Sequence, residues 1–258
     1  MILTRRAALD GVQLDSIDNR ILIQGIETQA QKSSIQAQAL WGTDGSRVTG
    51  EYRESLDIIL RFTINEKTYR PGERATVLEK ANSWAAAGGL LTIGYKTGRQ
   101  IRVILAQSAE EGDAMSRGTY SITFRAFGVP YWQEDPPHKT QINGSSGSRA
   151  FGVGGSTRTV MDASFRNASG GTINNLEIRA GDSVFTFTGL GLGNGQTLII
   201  DHPDDGRRSV LRCRIGSTSV LGKRSGSNDL YVKPGAQSVS FTASGSGVME
   251  FSCRGRFV

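Results

Sequence analysis

Short β-like runs separated by glycine-rich turns fill the second half of this 258-residue chain. In these runs apolar and polar residues alternate, which is the side-chain period of a strand. The runs are Arg158–Phe165, Thr172–Arg179, Ser183–Thr188, Gln196–Asp201, Ser209–Ile215, Asp229–Val232, Gln237–Thr242 and Val248–Arg254. Many short strands with regular turn signals are typical of an antiparallel sandwich of two sheets. The sequence therefore predicts an all-β sandwich for residues 133–258, with no helix after Ala87.

The first half differs because it contains one strong helix signal. Pro71-Gly72 can open a helix, since an N–H at that position would be unpaired anyway, and Gly88-Gly89 can end it. An apolar stripe with helical spacing lies between them: Val77, Leu78, Ala81, Trp84 and Ala85. The flanking strand-like runs are Arg20–Ile26, Lys32–Trp41, Arg53–Asn65, Leu90–Tyr95, Gln100–Ala106 and Thr119–Phe127. This order predicts an α+β domain over residues 1–132, with a turn at Gly42–Ser46 and a polar loop at Ala109–Gly118.

A break in the pattern separates the two halves. Gln133–Pro137 ends the last strand of the first half with two consecutive prolines. Asn143–Gly155 is rich in glycine and serine and shows no periodicity, so it is interpreted as a linker or exposed loop. The predicted domains are therefore residues 1–132 and residues 133–258.

The residues that usually carry chemistry are few. Of the two histidines, His138 lies in the predicted linker, and His202 lies in the aspartate-rich segment Ile200–Gly206. That segment suggests a calcium site or a catalytic dyad, but a strand followed by a Pro/Asp/Gly turn has the same composition. Gly189–Gly195 suggests a phosphate loop, yet a strand-like run follows it where the dinucleotide fingerprint needs a helix. The sequence predicts no catalytic, cofactor-binding or metal-ligating residues, no cofactor and no enzymatic activity.

Two cysteines, Cys213 and Cys253, fall in predicted strands. Two cysteines cannot supply the three or four ligands of a structural metal site. A disulfide between neighbouring strands and two buried free thiols both remain open, and the second is favoured.

Composition disfavours three classes of function. The net charge is +6 with scattered basic residues, whereas nucleic-acid binders concentrate them on one face. No apolar run reaches the length of a membrane span, and the N-terminus does not resemble a signal peptide. After Trp132 the chain has no tryptophan and Tyr231 is its last tyrosine, which argues against a sandwich that stacks sugar rings on aromatic side chains.

Several motifs of the second half, taken in order, resemble the galectin-like sandwich of siphophage distal tail proteins. They are Asn174–Ile178, Phe185–Gly189, Gln196–Asp201, Leu230–Gly235 and Gln237–Thr242. The first half is similar to the belt domain of the same family, a β-sandwich or split-barrel-like domain with one helix and a last strand that ends in Tyr131-Trp132. Asn167–Gly171 departs from the family's threonine-asparagine-x-glycine form. The resemblance covers nearly the whole chain in element order.

This resemblance implies a structural virion protein at the tail tip, made in the host bacterial cytoplasm. Its partners would be other copies of the chain in a homohexameric ring, single or stacked, the tail-tube protein on one side, and the tail-tip hub or tail-associated lysin on the other. Contacts with tape-measure and receptor-binding proteins are left open. The ring contacts are expected along Arg53–Asn65, Leu90–Ala106 and Thr119–Phe127, where a sheet edge can accept a neighbour's strand.

Three alternatives are kept. A carbohydrate-binding adhesin would use the sandwich, and a hydrolase would use Asp201 and His202. Another tail-ring component, such as a tail-tube or terminator protein, would use the first domain in the same way. The long second domain argues against this alternative.

Overall fold

The computed structural model describes residues 6–30, 32–39, 46–65, 71–110, 119–204 and 210–258. The chain divides into two compact units, one comprising Met1–Tyr131 with Asp204–Arg208 and the other Trp132–Pro203 with Ser209–Val258. Most of the predicted turn at Gly42–Ser46 and of the loop at Ala109–Gly118 lies outside the described residues, as do Asp205 and Gly206. Within the described residues, no helix is long and apolar enough to cross a membrane.

The first unit is the predicted α+β domain, with one long helix among antiparallel strands. Its elements are β1 (Ala7–Leu9), β2 (Val12–Gln13), α1 (Leu14–Ile17), β3 (Ile21–Thr28), β4 (Ser33–Ala39), β5 (Ser46–Arg53), β6 (Leu56–Ile64), α2 (Pro71–Ala86), β7 (Gly89–Ile93), β8 (Arg99–Gln107) and β9 (Tyr120–Ala126). The main sheet has the order β2-β1-β7-β8-β9-β6-β3.

Helix α2 covers one face of this sheet. Its predicted apolar stripe is buried, and Trp84 packs edge-to-face on Phe124 of β9 with ring centroids 5.8 Å apart. The indole Nε1 of Trp84 donates a hydrogen bond to the carbonyl of Val12 (2.9 Å). Alternate residues of β6, beginning at Leu56, are buried as the period-2 pattern predicts.

A buried carboxylate ties the start of β3 to α2. Asp18, whose side chain is 7% exposed, accepts hydrogen bonds from Nε of Arg20 (2.8 Å) and from Nζ of Lys80 on α2 (3.1 Å). The hydrogen bonds from Arg20 hold the pKa of Asp18 well below its usual range despite the opposing effect of burial.

The second unit is the predicted all-β sandwich. Its strands are β10 (Trp132–Glu134), β11 (His138–Val153), β12 (Thr159–Val160), β13 (Asp162–Asn167), β14 (Leu176–Ala180), β15 (Ser183–Phe187), β16 (Thr197–Asp201), β17 (Arg212–Ile215), β18 (Thr218–Ser219), β19 (Arg224–Gly226), β20 (Tyr231–Val232), β21 (Gly235–Cys253) and β22 (Arg256–Phe257). A short 3-10 helix, Leu221–Lys223, is an addition to the predicted pattern.

Strand β21 belongs to both layers of this sandwich. Its residues Val239–Ala243 pair with β14, from which the sheet continues to β15 and β19. Its residues Gly247–Ser252 pair with β13, from which the sheet continues to β16, β17 and β18. The phenylalanines of the inner faces meet in one buried core, where Phe165 and Phe241 lie 5.5 Å apart.

The predicted linker at Asn143–Gly155 is wrong, because most of it belongs to β11. This strand pairs with β21 along nearly its whole length, from His138 opposite Cys253 to Val153 opposite Gly235. A register shift between Gly144 and Ser146 breaks the alternation of buried residues, so the sequence shows no continuous period of two. The backbone ladder forms regardless of the small polar side chains that suggested a linker.

The predicted runs Gln237–Thr242 and Val248–Arg254 are likewise parts of one strand, β21, and the residues between them form a bend within it rather than a break between two strands. Gly247 lies against β13 so closely that a Cβ atom there would be 2.4 Å from Cζ of Phe165 and 2.5 Å from the carbonyl oxygen of Arg166. Glycine therefore allows the strand to pass from one sheet to the other over a packed aromatic ring.

Candidate assembly interface

Strands β4 and β5 form a two-stranded antiparallel hairpin, here called the arm, which shares no ladder with any other described strand. The seven residues of β4 span about 24 Å at the usual rise per residue. Ile35 in β4 is 63% exposed. An isolated two-stranded ribbon is marginally stable in water, so a further surface is needed to hold the arm in one conformation.

The base of the arm is fixed to the first unit. The N–H of Gln29 donates to the carbonyl of Asp57 (3.0 Å), and the N–H of Glu54 donates to the carbonyl of Lys32 (3.0 Å). The hydroxyl of Ser34 donates to the carboxylate of Glu54 (3.0 Å). These bonds set the direction in which the arm leaves the sheet.

Strand β3, from which the chain enters the arm, is the long free edge of the main sheet. It pairs with β6 on one side, and on the other it pairs with no described strand. A bulge at Gln24 interrupts the ladder, and the hydroxyl of Tyr95 donates to the carbonyl of Ile26 (3.2 Å). Leu22 is 44% exposed beside this edge. An edge with unpaired N–H and C=O groups is a template for an added strand.

The outer face next to this edge combines paired charges with exposed apolar side chains. Nε of Arg61 lies 2.9 Å from the carboxylate of Glu27. Arg125 binds Asp57, and these hydrogen bonds raise the pKa of the Arg125 guanidinium. The same guanidinium lies 5.8 Å from the ring centroid of Phe127, which is 44% exposed. A face of this kind suits contact with another protein, because its charges are already neutralised in pairs.

The strands expected to carry the ring contacts do not provide a free edge. Strands β6, β7, β8 and β9, which correspond to those runs, each have neighbours on both sides in the sheet. The described strand order ends in β2, which has two residues, and in β3, which has eight, so β3 and the arm offer the longest stretches of backbone for strand addition. Single-sequence patterns could not identify this edge because they show which residues form strands but not the order of the strands in the sheet.

The histidines occupy structural positions. Nε2 of His138, the first residue of β11, lies 2.7 Å from the carboxylate of Glu134. The side chain of His202 is 5% exposed, with Nδ1 2.9 Å from Asp162 and Nε2 3.4 Å from Asp229. The carboxylate of Asp201, expected beside it in a hydrolase, is instead bound by Arg212 (2.7 Å).

The glycine-rich segment Gly189–Gly195 is a turn, as the sequence interpretation held, and it connects β15 to β16, which lie on opposite sides of β21 in the strand order. Its N–H groups at Leu190 and Leu192 donate to the carbonyls of Asn174 and Ile173, and both leucine side chains are buried. Nζ of Lys223 donates to the carbonyl of Leu190 (3.1 Å). These N–H groups are therefore occupied and cannot cradle a phosphate.

The two cysteines are buried free thiols. Cys213 lies in β17 and Cys253 in β21, and two further strands, β16 and β13, lie between them. Three strand spacings amount to about 14 Å, far beyond the reach of a disulfide. Burial raises the pKa of Cys213 to about 11 and that of Cys253 to about 12. Within the described residues, no three potential metal ligands gather at one place.

A solved structure with a TM-score above 0.5 resembles this chain over almost its whole length. The match to SPP1 Dit, described as a paradigm of the hub adsorption apparatus in phages that infect Gram-positive bacteria, has a TM-score of 0.66 and 15% identity, and covers 98% of this chain and 99% of that chain. The chain has a Dit-like fold. The resemblance seen in the sequence is thereby confirmed at the level of the fold.

Two other solved structures are similar at lower scores. They are chains of the phage P2 baseplate in its activated conformation with Ca (TM-score 0.48, 11% identity, 99% of this chain and 100% of that chain) and with Sr (TM-score 0.43, 10% identity, 96% and 98%). No protein-family model matches the chain, and no curated protein matches it. The Dit-like fold is thus recognised from the path of the backbone.

Proposed function

We propose that this chain is a non-enzymatic subunit of a phage tail tip, where it forms a homohexameric ring that joins the tail tube of a long non-contractile tail to the tail-tip hub. The observation that carries this proposal is the full-length likeness to SPP1 Dit, a hub protein by its description. The likeness includes both units, so neither half needs a separate functional explanation.

The arm and the β3 edge provide the two surfaces that a ring requires. A closed ring of identical subunits uses a heterologous contact, in which two different patches of one chain meet on neighbouring copies. In this proposal the arm of one subunit lies against the β3 edge of the next. Such a contact removes an exposed edge from solvent, and a stable one should bury more than about 1,000 Å² in total.

The two halves have different roles in this proposal. Residues 1–132 act as the belt domain that closes the ring, because they contain the arm and the free edge. Residues 133–258 act as the galectin-like domain outside the belt. The change from one compact unit to the other between Tyr131 and Trp132, one residue before the proposed boundary, supports this division.

The proposed partners follow from the two faces of such a ring. One face binds the tail-tube protein, and the other binds the tail-tip hub or tail-associated lysin. The two faces of a cyclic ring are formed by different residues of the subunit, so each face can be specific for one neighbour. The protein would therefore be found at the tail tip of the virion after its synthesis in the bacterial host.

The mass of the purified full chain in solution tests this proposal. A hexamer of 27.8 kDa subunits has a mass of 6 × 27.8 ≈ 167 kDa, which mass photometry should detect. Negative-stain electron microscopy should show particles with a central hole. Stacked rings would give twice that mass. A species that remains at 27.8 kDa at all concentrations, and does not assemble when the cognate tail-tube protein is added, would refute the ring.

A further inference from the structure

A cleft lies on the outer face of one sheet of the sandwich, away from the arm and the β3 edge in sequence. It has a volume of about 490 Å³ and is lined by residues of β11, β13, β16 and β21. Because alternate residues of a strand point to opposite faces, the residues next to the buried core positions Ala163 and Phe251 point into it. This surface has no role in the proposed ring contact.

The polar groups of the cleft are in register across three neighbouring strands. One row runs from Lys139 through Ser252 to Asp162, and the next from Gln141 through Glu250 to Ser164. Strands lie about 4.8 Å apart, so each row spans about 10 Å and the two rows are separated by about 7 Å. These dimensions match one or two sugar rings.

Hydrogen bonds from His202 fix the orientation of the Asp162 side chain. Its Oδ1 accepts hydrogen bonds from the backbone N–H (3.0 Å) and from Nδ1 (2.9 Å) of His202. The imidazole is 5% exposed, whereas the Asp162 side chain is 48% exposed. Oδ2 of Asp162 has no protein partner among the described residues, so an oriented acceptor is directed away from the core. His202 is therefore a positioning residue in this cleft.

The other charged groups are also available for a ligand. Within the described part of the chain, Glu250 and Lys139 form no ion pair and no side-chain hydrogen bond, and both are exposed. An anion in the cleft would face the carboxylates of Asp162 and Glu250 and that of Asp201, which is paired with Arg212, and a cation would face the Lys139 ammonium. A neutral polyol can use both kinds of group, because each hydroxyl donates to a carboxylate and accepts from an ammonium or amide.

An apolar contact completes the surface. Ile199 lies opposite Ser164 on β16, at the end of the second row, and lines the same cleft. The C–H face of a pyranose ring can pack on this side chain. The cleft offers no aromatic ring for stacking, so the expected affinity is weak, with a Kd on the order of 1 mM.

We propose that this cleft binds a neutral saccharide of one or two residues, with Asp162 and Glu250 as acceptors and Lys139 as donor. The site lies within one chain, so it does not depend on the ring. If six copies are joined in one particle, their combined avidity for a polysaccharide would exceed that of a single site.

Saturation-transfer NMR on the full chain tests this site, with maltose, cellobiose, lactose and N,N′-diacetylchitobiose as probes at about 20 mM, well above the expected Kd. At least one disaccharide should receive saturation. Asp162→Asn and Glu250→Gln should each weaken its binding by about tenfold, the effect of one strong hydrogen bond. Glu177→Gln is the matched control, because Glu177 lies on the other sheet and is paired with Arg179 (2.7 Å).

Three outcomes would overturn the proposal. They are the absence of saturation transfer for all four probes, equal binding by the wild type and both cleft variants, and binding of trilysine in place of the disaccharides. The last result would identify the cleft as a docking site for a basic segment of another protein. If Asp162→Asn fails to fold, Glu250→Gln still tests the proposal, because Glu250 is exposed and its substitution should leave the fold intact.

Discussion

At the residue scale, the surroundings of Gly247 at the bend of β21 leave no room for a side chain. A Cβ atom there would lie 2.4 Å from the ring of Phe165, and that ring is fully buried. We expect Gly247→Ala to lower the free energy of unfolding by about 2 kcal/mol, since overpacking forces neighbours to move. Urea denaturation of the purified chain measures this loss.

The matched control for this substitution is Gly152→Ala. Gly152 also lies in a long strand of the sandwich, but a Cβ atom there would meet nothing within 4 Å. Its substitution should leave the unfolding midpoint nearly unchanged. Equal losses for the two variants would show that the effect comes from the backbone and not from the contact with Phe165.

Asp18 should make the stability of the first unit depend on pH. Its pKa is lowered in the folded state, so it stabilises the fold above the unfolded value of about 4 and this contribution is lost as the pH falls further. Asp18→Asn should cost about 1–3 kcal/mol at pH 7, the range for hydrogen bonds to a charged group. The difference from wild type should shrink towards pH 3 in denaturation series.

Asp182→Asn provides the comparison for that series. Asp182 forms an ion pair with Lys233 (2.8 Å), but their side chains are 70% and 63% exposed. Exposed pairs contribute little to stability, so this variant should follow the wild type at both pH values. A cost for Asp182→Asn as large as that for Asp18→Asn would contradict the argument from burial.

At the scale of elements, the arm and the β3 edge can be tested by adding charge. Leu22→Lys and Ile35→Lys place a cation on the exposed apolar positions of the edge and the arm. Each should reduce the proposed hexamer to smaller species in mass photometry, because a buried unpaired charge is costly. The fraction of hexamer should fall more than tenfold in a variant whose substituted position lies within the contact.

Leu221→Lys is the control for these variants. Leu221 is also an exposed apolar residue, 39% accessible, but it lies in the sandwich. It should assemble like the wild type. Retention of the full mass by both Leu22→Lys and Ile35→Lys would exclude this edge and arm as the ring contact, while leaving other contacts to be sought on the first unit.

Elements with a strong local signal could be predicted from the sequence. Helix α2 has proline at its start and glycine after its end, and β6 has clean alternation of buried residues. The sequence does not predict strand β11, because a bulge and small polar residues hide its period. Its partner β21 also lies far away in the chain, so no local pattern indicates the pairing. The free edge and the cleft both depend on the order of strands, which no local pattern reports.

At the scale of the whole molecule, ring formation should make thermal stability depend on concentration. Association that requires the folded chain shifts the folding equilibrium by mass action. The Tm measured by differential scanning fluorimetry should therefore rise by several degrees between about 0.5 and 50 μM protein. The Ile35→Lys variant should show a Tm that does not change over this range. A wild-type Tm that is equally constant would argue against assembly.

The pairing of β11 with β21 also determines when the sandwich can close during synthesis. The paired residues of this ladder are far apart in the chain: Val153 and Gly235 are separated by 235 − 153 = 82 residues, and His138 and Cys253 by 253 − 138 = 115. Both sheets depend on β21 for their connection, and loops of this length close slowly. The strands made earlier must remain without their central partner until the ribosome has released the segment up to Cys253. The nascent chain therefore presents open, glycine-rich strand edges from the synthesis of β11 until that of the end of β21, and the hazard of mispairing with other nascent copies lasts over this interval.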